Sequence, residues 1–151
     1  MNTHEVIQAL ATALGSPDLQ LDARGCARLR VDESIDINFE ASGSHLLHVY
    51  SPLGPLPAGN REAVYERLLT ANLFCSETGG ATLAIDREFN EVVLCMDIGN
   101  HGWTSELVSA RVHRFIDAAL MWRERFSDID SLPASPVVSI REHDPARFLR
   151  V

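Results

Sequence analysis

Between residues 27 and 50 the hydrophobic period of the chain becomes two and stays so through three short runs, which constrains the fold more than any other feature. Ala27, Leu29 and Val31 alternate with Arg28 and Arg30, and Ile35, Ile37 and Phe39 alternate with Asp36, Asn38 and Glu40. His45 to Tyr50 puts Leu47 and Val49 on one face and Leu46, His48 and Tyr50 on the other. Such alternation marks half-buried strands. The connections, Asp32-Glu33-Ser34 and residues 41–44, are far too short for the crossover that parallel pairing requires. The three runs therefore form an antiparallel meander, which excludes a βαβ fold over this half of the chain.

Helical spacing flanks the meander. Residues 3 to 14 carry Val6, Ile7, Leu10 and Leu14 on one stripe, with Thr3 available as a cap and Gly15-Ser16-Pro17 as the stop. "SPLGPLPAGN", residues 51 to 60, holds three prolines and two glycines and is expected to be a loop. Asn60 then caps a helix from Arg61 to about Phe74. A break over Ser76 to Gly80 leads to a strand at Ala81 to Asp86, a turn at "DREFN", and a returning strand from Glu91 to Ile98. The longest helix follows, from about Thr104 to Phe126, with Val108, Val112, Phe115, Ile116, Ala119 and Trp122 at helical period. The order is α-β-β-β-α-β-β-α, an α+β fold in which helices flank a twisted antiparallel sheet. Residues 1–130 form one domain, and residues 131–151, with three prolines, form an appended tail.

Charge narrows the function. Thirteen basic against twenty-one acidic residues give a net charge of −8. That balance disfavours nucleic acid and anionic membranes as partners, since both are bound through clustered Lys and Arg. The N-terminus lacks the basic region of a secretory signal, and no run of about 18 apolar residues occurs, so a cytoplasmic protein is expected. Cys26, Cys75 and Cys95 show no CxxC spacing and are expected to be mostly buried thiols in a reducing compartment.

Candidate chemistry fails on spacing. His45 and His48, three apart on a strand, point to opposite faces and cannot chelate one metal together. Cys75 is placed at a helix C-terminus, where the dipole disfavours a thiolate. Gly79-Gly80 lacks the remaining residues of a phosphate-binding loop and is expected to be a flexible bend. The residues point to no enzyme, no cofactor and no protein-encoded metal. What remains is surplus apolar surface. The third strand is apolar on both faces, and the central helix carries Tyr65 and Leu69 displaced from its stripe. One small core cannot absorb all of it, so part is expected to meet another chain unless the tail and the long helix cover it.

The ordered framework resembles the class I type III secretion chaperones, the Tir-chaperone family. The likeness rests on "LLTANLF", then "GGATLAIDREFNEVVLCMDI", then a long helix containing "FIDAALMWRERF". Asn72-Leu73, Gly80, Leu83, Ile85-Asp86, Val93-Leu94 and Trp122 occupy the family's framework positions, and the resemblance spans residues 3 to 126. It implies a homodimeric, non-enzymatic bacterial chaperone of the cytosol. Such a protein holds the N-terminal segment of a secreted effector in extended form and keeps it competent for export. By the same resemblance Val64, Leu68, Ala71, Leu73 and Leu83 are expected at the dimer contact. Val6, Leu10, Leu14, Leu29, Leu46, His48 and Tyr50 are expected at the effector surface. The alternative is a regulatory interaction module of the same fold that binds a folded partner, and a third possibility is a small enzyme using Cys75 or His101.

Overall fold

A computed structural model describes residues 1–99 and 102–128. The elements are α1 (Thr3–Ala13), β1 (Cys26–Val31), β2 (Ile35–Ser42), β3 (Leu46–Pro55), α2 (Arg61–Asn72), β4 (Thr82–Asp86), β5 (Glu91–Gly99) and α3 (Ser105–Ser127). The five strands form one antiparallel sheet in the order β1-β2-β3-β5-β4, so the meander and the later hairpin join through β3 and β5. The fold is α+β, as the sequence pattern requires.

Alternation assigns the two faces of the sheet. Leu29, Ile37, Phe39, Leu47, Val49, Leu94 and Ile98 lie on the helix-covered side and join the core with Leu10, Phe115 and Trp122. α3 lies across β2 and β3, α1 packs beside α3, and α2 packs against β4. The opposite face, with Leu46, His48 and Tyr50 on β3, has no helix over it among the described residues.

Three local expectations are corrected. Asn2, not Thr3, caps α1: its Oδ1 accepts from Glu5 N at 2.9 Å, and Glu5 Oε2 accepts from Asn2 N at 2.7 Å. Thr3 is buried instead, and its N–H donates to Ser44 O at 3.1 Å, tying the helix start to the β2–β3 turn. Second, the Pro-rich stretch is not all loop, because β3 continues to Pro55 with a bulge between Pro52 and Gly54. Its pairing with β2 ends at the Asn38–Tyr50 pair, and beyond that β3 pairs with β5 alone. Over that stretch β3 has a free side and a bulge, both settings where a residue without an N–H is tolerated. Third, the helix predicted to reach Phe74 stops at Asn72, and a single 3₁₀ turn follows, with Phe74 and Cys75 in the left-handed region at φ 54° and 53°.

The break after α2 is tightly built. Glu77 accepts from Arg67 at 2.9 and 2.7 Å and from Arg125 at 2.6 Å, while Trp122 Nε1 donates to its carbonyl at 2.8 Å. The two guanidinium groups lie 5.1 and 5.8 Å from the Trp122 ring centre. Gly79 has φ +62°, and a Cβ there would lie 3.0 Å from Arg114 O on α3. Its glycine is thus required by close packing as well as by the bend.

Candidate binding surfaces

Edges come first, because an open sheet edge can recruit an extended chain. β1 and β4 are the two edge strands. On β4 the Asn72 side chain occupies the outer peptide groups of Leu83: Leu83 N donates to Oδ1 at 2.8 Å, and Nδ2 donates to Leu83 O at 3.0 Å. A side-chain amide thus imitates a neighbouring strand and blunts that edge. β1 is covered in the same way only at its start, where Asp22 N donates to Cys26 O at 2.7 Å and Asp22 Oδ1 accepts from Cys26 N at 2.9 Å; beyond Cys26 it has no such cover among the described residues. Its side chains carry Arg28 and Arg30, the latter in a two-bond ion pair with Asp36 at 2.8 Å.

The uncovered face of the sheet is the second surface. Leu46, His48 and Tyr50 are all half-buried there, as expected for a face that is neither core nor plain solvent. Across from them lie Gly99, Asp97 and Cys95 on β5. His48 Nδ1 is 2.7 Å from Asp97 Oδ1. A pocket of about 460 Å³ opens on this face, lined by Tyr50, Val93 and Cys95 and by Phe89 from the β4–β5 turn. Glu40, Asp86 and Glu91 also line it. Burial, reinforced by Glu40, raises the Tyr50 phenol above its ordinary value, and burial with Asp86 nearby raises Glu91. Burial also pushes the Cys95 thiol up, with Asp97 adding to the effect, so Cys95 is poorly nucleophilic.

A third surface is the groove between α1 and the segment that follows it, about 790 Å³, lined by His4, Gln8, Ala11, Leu19 and Leu21 among others. A fourth is apolar and protruding: Leu69, Leu73 and Phe74 are 69%, 60% and 93% exposed around the end of α2.

The residues expected to bind partners divide among these environments. Leu46, His48 and Tyr50 come together on the open face. Leu29 pairs with Ile37 and packs on the covered face. Val6 and Leu10 are core residues of the single chain, and Leu14 is partly exposed. Of the residues expected at a dimer contact, Val64, Leu68, Ala71 and Leu83 are buried between α2 and the sheet, whereas Leu73 faces solvent. Cys75 is exposed, contrary to the expectation of mostly buried thiols, because the left-handed turn after α2 swings it outward. His101 lies outside the described residues, as does the tail from residue 129 onward. No helix among the described residues is long and apolar enough to cross a membrane, and no group of three or more His, Cys, Asp or Glu there is placed to hold a metal.

Sequence reasoning missed Phe89 and the groove beside α1. Phe89 sits in a turn whose composition reads as solvated, and only its exposure beside the pocket it lines with Tyr50 and Val93 gives it meaning. The groove depends on how residues 16–21 return along α1, for which the sequence carries no periodic signal.

The model of the Tir chaperone protein (CesT) family matches residues 5–123, which includes all eight elements up to most of α3. The chain belongs to the Tir chaperone protein family. That family is a chaperone class and not an enzyme class. A protein of Chlamydia pneumoniae, CPj0713/CpB0740, is 30% identical over 92 residues, 60% of this chain and 71% of the relative. Among solved structures, the ExsC–ExsE complex superposes with a TM-score of 0.63 at 21% identity, over 80% of this chain and 90% of the other. The ExoU–SpcU complex of the Pseudomonas aeruginosa type III secretion system gives 0.63 at 20% identity, over 82% and 95%. At these identities the structures establish the fold; family membership rests on the model match.

Proposed function

We propose that the protein is a cytosolic type III secretion chaperone that acts as a homodimer and holds the N-terminal segment of an effector in extended form. Membership of the Tir chaperone family carries this reading. The geometry supplies a physical means for it. An extended segment gains main-chain hydrogen bonds by adding to a sheet edge, and its alternate side chains then reach pockets beside that edge. With the β4 edge held by Asn72 at Leu83, β1 beyond Cys26 is the edge open to such a segment. The half-buried Leu46, His48 and Tyr50, the groove beside α1 and Leu14 supply places for side chains.

Dimerisation is proposed through the outer side of α2. Its inner stripe, Val64, Leu68 and Ala71, holds the chain's own core and supports the contact from beneath, so Leu73 with Leu69 and Phe74 makes it. Apolar surface concentrated at one helix end favours a second copy over solvent. The two types of surface lie on different elements, so a dimer leaves the β1 edges available.

The experiment is co-expression with the protein encoded beside it, followed by light scattering and limited proteolysis of the purified complex. The expected result is two copies of this chain with one partner, whose N-terminal segment is protected from protease without forming a compact domain. A strict monomer at micromolar concentration that retains no partner would refute the proposal. A complex protecting a folded partner domain would instead establish the regulatory-module alternative.

A further inference from the structure

The uncovered sheet face has a chemical character that the general reading does not use. Its pocket joins aromatic and aliphatic side chains to carboxylates that make no ion pair among the described residues. Glu40, Asp86 and Glu91 line it, and none has an ion-pair partner among the described residues. Asp86 is committed through Oδ1 to the N–H groups of Glu88 and Phe89, at 2.8 and 3.2 Å, which fixes the turn but leaves its charge uncompensated. Asp97 is engaged by His48. The nearby cation is Arg28, whose Nε donates to Asn38 Oδ1 at 3.1 Å on the neighbouring strand. The raised values of Tyr50 and Glu91, due first to burial and then to Glu40 and Asp86 respectively, are consistent with a site that disfavours further negative charge.

We infer that this pocket takes an arginine side chain projecting from the extended segment bound to the chain, with its guanidinium plane against Tyr50 and Phe89 and its N–H groups toward Asp86 and Glu91, which face each other across β4 and β5, while Glu40 adds negative charge further along the face. The inference rests on the proposed extended-segment reading and names the chemistry that one site selects. Three considerations choose this occupant. The carboxylates are complementary to a cation and repel an acidic segment. A guanidinium is weakly hydrated and stacks on rings, whereas a lysine ammonium is a compact, strongly hydrated charge that loses more on leaving water. The cavity, about 460 Å³ and open on one side, suits a single long side chain delivered from outside. A surface that combined rings with unpaired carboxylates merely for solubility would not set the two around a common cavity.

The test uses the full-length chain, labelled with nitrogen-15, and two synthetic peptides, acetyl-Ser-Val-Arg-Val-Ser-amide and its citrulline counterpart, which removes the charge at nearly constant shape. Titration followed by nuclear magnetic resonance is expected to move the amide signals of Tyr50, Val93 and Cys95. The arginine peptide should bind roughly three- to ten-fold more tightly than the citrulline one. That ratio should fall toward one as salt is raised, and in the Glu40→Gln/Glu91→Gln double variant. Equal affinities, no binding by either peptide, or shifts confined to other surfaces would overturn the inference. The discrimination between the peptides decides the pocket, whereas retention of an effector by the unmodified chain decides the chaperone reading separately.

Discussion

Glu77 is the most informative single residue for the stability of this framework. Its carboxylate is hydrogen-bonded by Arg67 from α2 and ion-paired with Arg125 on α3, and together these hold its pKa at about 2 against an ordinary 4.5. Taken at face value that lowering corresponds to ~3 kcal/mol. The side chain is 31% exposed, however, and water screens the pair, so a contribution of ~1–2 kcal/mol is the defensible figure. The sign follows from linkage. A carboxyl whose pKa is depressed on folding stabilises the protein above its unfolded value, and that stabilisation is lost as pH falls through the folded one. Glu77→Gln should therefore lower unfolding free energy by ~1–2 kcal/mol at pH 7. The gap between the variant and the unmodified chain should close progressively as pH falls from 4.5 toward 2, the interval that separates the two pKa values. Urea denaturation at several pH values, at one fixed protein concentration because a dimer's stability depends on it, measures both quantities. Equal stability at pH 7, or a gap that does not change with pH, would refute the argument.

Two further substitutions probe the same region. Asn72→Ala removes both hydrogen bonds to Leu83, which should cost ~1–3 kcal/mol and make the chain aggregate more readily through the freed β4 edge. Denaturation midpoints and light scattering over time would show both effects. Gly79→Ala forces a Cβ to within 3.0 Å of Arg114 O at a positive φ, so a loss of ~2 kcal/mol or more is expected in the same denaturation assay.

What the sequence disclosed and what it hid have a common physical basis. Strands at residues 27–50 and helices at both ends were legible because each buries one face, and burial of one face writes a period of two or 3.6 into the chain. The extension of β3 through Pro52 and Pro55 was hidden because it depends on which strands lie beside it, not on β3 itself. Glu77 gave no signal, since its partners are 10 and 48 residues away and only the packing of α3 against the turn after α2 joins them. The α2 stripe shows a further limit. Val64, Leu68 and Ala71 have the spacing of an interface and of a core alike, and burial alone separates them. The sequence pattern carries the helix on to Phe74 and Cys75, yet a left-handed turn takes both outward and creates the exposed apolar end of α2.

The central claim is that an effector segment joins the sheet in extended form at β1. Amide hydrogen exchange on the complex isolated by co-expression tests it most directly, compared with the free chain. The β1 amides beyond Cys26 should become more protected on binding, while protection at Cys26, already engaged by Asp22, and at Leu83, already engaged by Asn72, should stay unchanged. Unchanged exchange along β1 in a complex that nevertheless retains the effector would contradict the account.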